Sequence, residues 1–265
     1  MSDIILRFVH ISDTHISSNP DYGREHWQVA HTARQGAEAL VQQLNNLPFE
    51  PDFILHTGDV AFDPDPSAYE AAYEILSAIR YPVYYLAGNH DYQAELQRRM
   101  TKRDEIVLPF HYTFEVNGVQ IVCLDSNGPA EPPRGYITEE QIAWLESICS
   151  TPDSRPLVVA VHHNILPVGI PWLDEFMRTT NGEAVHQALL PARERLRGVF
   201  FGHVHQNLDM YRDGILYTSV NSSWVQFHAW PEQKQTIEDM GADPGFNVVT
   251  LTSNQTYIRR CRFRL

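Results

Sequence analysis

The sequence predicts a layered α/β fold of two packed, mixed β-sheets flanked by helices, and three observations predict it. Short β-rich runs alternate with amphipathic stretches through the first half, the pattern of a sheet covered by helices. Past residue 199 the pattern turns all-β, with turn dipeptides between the runs. At 265 residues, 43% hydrophobic and 20% charged, the chain has the length and composition of one globular α/β unit. A single domain over 1–265, with a β-hairpin region at 207–265, is therefore expected.

Residues 4–11 read as the first strand. Residues 27–47 read as a helix, because Val29, Ala33, Ala37, Leu40, Val41 and Leu44 recur on one face. A short buried strand at 53–57, a helix at 67–79 and a strand at 83–87 follow. Asn117-Gly118, the strongest short hairpin signal, joins runs 110–116 and 119–124 and brings antiparallel strands into the sheet. Thr138 with Gln141 forms a capping-box pattern, opening a helix that runs to about residue 150. A buried strand at 157–161, a helix at 182–196 and a strand at 199–201 come next. Runs 208–212 and 215–220 surround Asp213-Gly214, and 247–252 is expected to pair with 257–263. Segments 127–135, 164–171 and 221–245 are long enough to be functional loops.

Composition excludes several classes. The net charge of −13, from 33 acidic and 20 basic residues, argues against a nucleic-acid surface, which needs clustered Lys and Arg. It does not exclude a phosphate substrate, since bound divalent cations can reverse a site's sign. No apolar run reaches the ~18 residues of a membrane span, and the start has neither a basic n-region nor a cleavage site. Cys123, Cys149 and Cys261 are widely spaced and odd in number, so no disulfide framework is expected. The cytoplasm is the expected compartment.

Five short blocks place potential ligands directly after β-rich runs: Asp13-Thr14-His15, Gly58-Asp59, Gly88-Asn89-His90-Asp91, His162-His163 and Gly202-His203-Val204-His205. In α/β sheets, loops at the carboxyl ends of strands converge, so these residues are expected to meet at one edge. Glycine precedes the ligand candidate in three blocks, allowing a sharp turn and close backbone approach. Oxygen and imidazole donors without thiolate suit Mn, Fe, Zn, Co or Ni and not a structural zinc knot. Seven donors exceed what one ion takes. Two ions ~3.5–4 Å apart, sharing a carboxylate, can hold a hydroxide between them and clamp an in-line phosphoryl displacement. His10 and His56, inside strands, read as packed core histidines, and His26, His31, His111, His186 and His228 lack any motif.

These five blocks together match the signature of the calcineurin-like metallophosphoesterases, which the chain resembles over residues 8 to 205. The resemblance implies a two-sheet sandwich with a dinuclear site at its edge. It implies that Asp13, His15 and His205 hold one metal together with Asp59, which bridges to a second held by Asn89, His162 and His203. Strand alternation turns His163 away from its neighbour, toward packing or support. A metal-bridging hydroxide would attack phosphorus. Asn89 would bind and neutralise the phosphoryl oxygens, and His90 would contact substrate and protonate the leaving alkoxide. Asp91 is expected to orient His90 or to cap the following helix.

Within the family, the segment Gly58-Asp59-Val60-Ala61-Phe62-Asp63-Pro64 departs from the Gly-Asp-x-x-Asp-Arg-Gly of protein Ser/Thr phosphatases. Closer resemblance is to the bacterial class III 3′,5′-cyclic nucleotide phosphodiesterases and related glycerophosphodiesterases. It rests on Ile11-Ser12-Asp13-Thr14-His15, Leu124-Asp125-Ser126, Gly135-Tyr136-Ile137-Thr138 with Trp144-Leu145, and Trp224-Val225-Gln226-Phe227 before Pro244-Gly245-Phe246. His162-His163-Asn164-Ile165 departs from the His-His-Pro-Pro often found in these relatives. The expected function is a phosphodiesterase for a small diester such as a cyclic nucleotide. A phosphomonoesterase or glycerophosphodiesterase on the same metals, manganese, iron or zinc, and a non-catalytic scaffold are the alternatives. Arg24, Arg134 and Arg178 are the loop cations that would favour a monoester. Trp172, Trp224 and Phe227 are candidates to stack on a base or to pack a lid, and Asp174 and Asn221 are candidate hydroxyl partners. No nucleic-acid polymer or membrane is expected as partner; the resemblance raises a homodimer, for which the sequence carries no interface signature.

Overall fold

A computed structural model describes residues 3–23, 31–63 and 65–265. Arg24, His26, Trp27 and Val29 lie outside the described residues. The elements run β1 (Ile4–Ile11), α1 (Ala33–Asn45), β2 (Phe53–His56), α2 (Pro66–Leu76), β3 (Val83–Tyr85), α3 (Gln93–Glu95), β4 (Tyr112–Val116), β5 (Val119–Cys123) and α4 (Glu139–Ser150). They continue with β6 (Leu157–Ala160), α5 (Pro171–Phe176), α6 (Gly182–Leu189), β7 (Leu196–Phe201), β8 (Asp209–Arg212), β9 (Ile215–Ser219), β10 (Gly245–Thr252) and β11 (Thr256–Arg262). One sheet has the order β11-β10-β1-β2-β3 and the other β4-β5-β6-β7-β9-β8.

Side-chain alternation along β1 assembles the layers. Leu6 and Phe8 point between the sheets, where Phe8 stacks on Phe53 at 5.1 Å and meets Phe200 of the other sheet edge-on at 5.2 Å. Val9 and Ile11 point outward beneath Leu40, Leu44, Ala68 and Ala72 of α1 and α2. On the far side Val159 and Val199 pack against Leu145 and Cys149 of α4 and Val185 and Leu189 of α6. The result is helix, sheet, sheet, helix, with the expected two mixed sheets.

β1, β2 and β3 are mutually parallel, as are β5, β6, β7 and β9. The four strands past residue 207 split between the sheets. β8 and β9 close one, while β10 pairs antiparallel with β1 in the other.

Four elements differ from the sequence expectation. The helix expected over 182–196 stops at Leu189 and gives way to a 3₁₀ turn, since Pro191 has no N–H for the helical ladder. Only half of the Thr138 capping box forms, because Gln141 turns inward and brackets Asp125, accepting from its N–H and donating to its C=O, each at 2.9 Å. Segment 93–100, α3 and a π-helical turn, and α5, opened by Pro171, are helical where no helix was expected.

Candidate dinuclear metal centre

The five blocks follow β1, β2, β3, β6 and β7 and meet at one edge, as the parallel strands dictate. Two backbone features make the gathering compact. Asp13, His15, Asp59, His203 and His205 have left-handed φ of 56, 45, 53, 67 and 49°, a conformation costing about 1–3 kcal/mol per non-glycine residue, and one that clusters at functional sites. Glycine is also required for space: a Cβ on Gly88 would lie 2.1 Å from Asp59 Oδ1, and one on Gly202 1.9 Å from Ser12 Oγ.

Asp59 Oδ2 sits 3.5 Å from His15 Nε2 and 3.3 Å from His162 Nε2, between two groups of donors. On one side His205 Nε2 lies 3.0 Å from His15 Nε2 and 3.4 Å from Asp13 Oδ1. On the other, His162 Nε2 is 3.1 Å from Asn89 Oδ1, and the ligand atoms of His162, His163 and His203 lie within 4.8 Å of one another. His90 forms a further such group with His15 and Asp59.

The donors fit cations on two grounds. Three imidazoles direct one ring N–H at a backbone carbonyl: His162 Nδ1 to Thr57, His205 Nδ1 to Val225, and His203 Nε2 to Met177, at 2.8, 2.8 and 2.9 Å. Such bonds fix the tautomer and leave the other nitrogen as a lone pair, the usual arrangement around a metal-bound histidine. Electrostatics agree. Burial works against the charge of Asp59, yet His162 beside it holds the carboxyl well below its ordinary range. Burial also opposes a proton on His162, but Asp59 outweighs it and pushes this imidazole up to about 9. A cation displaces that proton, so ligation releases it. Asp13 is held low by His205 against its burial, while burial pushes His203 down to about 3 and His15 well below its ordinary value.

Above this floor is a cavity of about 500 Å³. Besides the ligand candidates it is lined by Tyr22, Phe62, Trp172, Trp224, Phe227 and Met177 among others, with no lysine or arginine among its described lining residues. Trp224 meets the His15 ring at 5.6 Å and Phe227 the His205 ring at 5.0 Å. The half-buried His90 ring is stacked on Phe62 at 4.7 Å, and the His90 backbone N–H donates to Asp59 Oδ1 at 2.9 Å.

Several expectations are corrected. Asp91 neither caps α3 nor orients His90; its carboxylate accepts from the N–H groups of Val60, Ala61 and Gly88 and from the Tyr69 hydroxyl, which locks the Asp59 loop to the Asn89 loop. Asp174 accepts from the N–H groups of Val168, Gly169 and Ile170 and so braces the entry to α5. Asn221 joins Asn207 to Asp243. Neither meets the cavity. Arg134 donates to the Glu175 carbonyl and Arg178 to those of Asp174 and Thr179. His163 bonds Ser126 Oγ at 2.7 Å and packs its ring 4.4 Å from that of His203, a supporting position. Phe62, which lines the cavity and stacks on His90, was not singled out from the sequence. Its signal was its place in the Gly-Asp segment, where the protein phosphatases carry an aspartate.

A two-sheet sandwich whose strand ends gather a buried aspartate–histidine cluster has the architecture of a metal-dependent hydrolase. The sequence matches the calcineurin-like phosphoesterase family over residues 6–207, and the chain belongs to that family. It is 29% identical to the 3′,5′-cyclic adenosine monophosphate phosphodiesterase CpdA of Escherichia coli K12, over 84% of this chain and 78% of that one. It is 31% identical to the glycerophosphodiester phosphodiesterase GpdQ of Enterobacter lignolyticus, over 80% and 76%. Among solved structures, a dimetal phosphatase from Danio rerio superposes with a TM-score of 0.68 at 13% identity, over 99% of this chain and all of that one, a likeness of fold.

Proposed function

We propose that this metal-dependent phosphohydrolase is a phosphodiesterase for a small diester with a flat, apolar substituent, such as a 3′,5′-cyclic nucleotide. One observation carries the reading: a metal-ligand floor lies under an aromatic cavity with no described lysine or arginine in its lining. A cationic side chain beside the metals would favour a monoester dianion over a diester monoanion, which carries one charge less. Aromatic faces stack on a base, a gain of about 1–3 kcal/mol each. The cyclic-nucleotide relative agrees. For the glycerophosphodiesterase reading the apolar wall offers little to a glycerol head group.

In this account Asp13, His15 and His205 would hold one ion and Asn89, His162 and His203 the other, with Asp59 available to both. Manganese, iron and zinc all suit the donors. When bound, the two ions supply an activated water and neutralise phosphoryl charge. Asp13 and Asp59 set the charge that retains them. Asn89, its oxygen turned to His162, has its amide N–H₂ to donate to a phosphoryl oxygen. His90, at the cavity edge, delivers a proton to the leaving alkoxide, and the Phe62 ring fixes its plane.

The test is hydrolysis of bis-p-nitrophenyl phosphate, p-nitrophenyl phosphate and 3′,5′-cyclic AMP by protein reconstituted with Mn²⁺, Fe²⁺ or Zn²⁺, beside Asp59→Ala. Diester and cyclic-nucleotide turnover, lost in the variant, is expected. Strong monoester turnover without diester turnover would move the chain to the phosphatases.

A further inference from the structure

His56, the last residue of β2, is fully buried and belongs to none of the ligand blocks. Its Nδ1 accepts from the Gly58 N–H at 3.3 Å, and its Nε2 lies 3.1 Å from Thr14 Oγ1. Thr14 Oγ1 in turn donates to the Val60 carbonyl at 2.9 Å. A backbone N–H can only donate and a carbonyl can only accept. The Thr14 hydroxyl has one hydrogen, directed to Val60, so Nε2 must be the donor to Thr14. One protonation state satisfies all three bonds: neutral His56 with its hydrogen on Nε2.

What this relay joins gives it a role. Thr14 lies between Asp13 and His15, and Gly58 and Val60 flank Asp59. Asp13, His15, Gly58 and Asp59 all have left-handed φ, of 56, 45, 104 and 53°. Backbone bonds at 3.0 Å, from Asp13 N to Gly58 O, His15 N to Asp59 O and Ile16 N to Val60 O, run alongside the relay. They fix the spacing of the two loops but leave the Gly58 N–H to His56. Strained backbone persists only where its surroundings over-determine it.

We infer that His56, acting through Thr14, is a positioning residue that holds the Asp13–His15 loop against the Asp59 loop in ligating geometry. The inference rests on the two-metal reading above. His56 touches neither ion nor substrate; with the backbone bonds keeping the loops side by side, removing the relay lets Asp13, His15 and Asp59 relax toward ordinary φ and turns their side chains out of ligating geometry.

The test compares Thr14→Val, of nearly equal volume without the hydroxyl, Thr14→Ser, His56→Leu and the double variant Thr14→Val/His56→Leu. Each is titrated with Mn²⁺ by calorimetry from the metal-free state and assayed with bis-p-nitrophenyl phosphate. Thr14→Val and His56→Leu are expected to weaken Mn²⁺ binding by about ten- to a hundred-fold, the range for losing a supporting partner, and to lower kcat more than they raise KM. Thr14→Ser should restore both, and the double variant should be no worse than its worse parent, because both break one relay. Wild-type affinity and kcat in Thr14→Val would overturn the inference, as would a Thr14→Ser as impaired as Thr14→Val, or additive losses in the double variant. A wild-type protein that takes up fewer than two Mn²⁺ would instead sink the two-metal reading, and the inference with it. If His56→Leu fails to fold, Thr14→Val against Thr14→Ser decides.

Discussion

The floor of the cavity grows from the carboxyl ends of five strands, whereas its walls come from loops and one short helix. Asp13, His15, Asp59, His162, His203 and His205 are buried and braced by backbone carbonyls, by one another and by the Asp91 clasp. Trp172 stands on α5, and Trp224, Phe227 and Thr236 on segment 221–245. A floor fixed by strands keeps the chemistry constant, while walls on loops can change the substrate. The difference predicts that floor variants lose turnover and wall variants lose affinity.

The largest effect is expected at the shared carboxylate. Asp59→Ala should lose metal and activity together, by more than the roughly hundred-fold attached to a mere supporting partner; metal content and turnover measured on the same sample check it. Next, His90→Ala should keep both metals and lose about 10²–10⁴-fold in kcat, the worth of a proton donor. Unchanged turnover would remove His90 from the chemistry. On the wall, Trp172→Leu should raise KM for cyclic AMP by about ten-fold, equivalent to about 1.4 kcal/mol, and leave KM for a small dialkyl diester unchanged. A fall in kcat alone would break the comparison.

The last effect is on stability and not on turnover, and concerns the core below the floor. His10 lies against Phe200 between the sheets and bonds Thr57 Oγ1; burial pushes it down to about 3, only partly countered by Asp13. In the unfolded chain its pKa is near 6.5, so the unfolded state takes the proton first as pH falls. Its contribution is complete above pH 6.5 and declines toward pH 3, at up to about 1.4 kcal/mol per unit. Urea midpoints of metal-free protein between pH 7 and 4 should fall with pH. The slope should be shallower in His10→Gln.

The gathering of these aspartates and histidines at one edge could be read in the sequence because each block follows a β-rich run, so periodicity and motif point to the same place. The same alternation located β1 and both N-G and D-G hairpins. Less visible were features decided by space. Pro191 shortened α6 within an otherwise helical pattern, and Gln141 left its capping box for Asp125 because that backbone is buried beside it. Asp174 and Asn221 looked like substrate partners, but loop N–H groups claimed both. His56 read as core packing because a relay to Thr14, 42 residues away, leaves no local pattern. The wall was partly legible: its aromatics stood out, but which faces meet the cavity depends on how segment 221–245 folds over the strand ends.

The most direct test is a crystal of the protein grown with Mn²⁺ and measured for anomalous scattering. Two peaks about 3.5–4 Å apart are expected, one among Asp13, His15, Asp59 and His205 and the other among Asp59, Asn89, His162 and His203. A single peak, or a pair that does not share Asp59, would contradict the account.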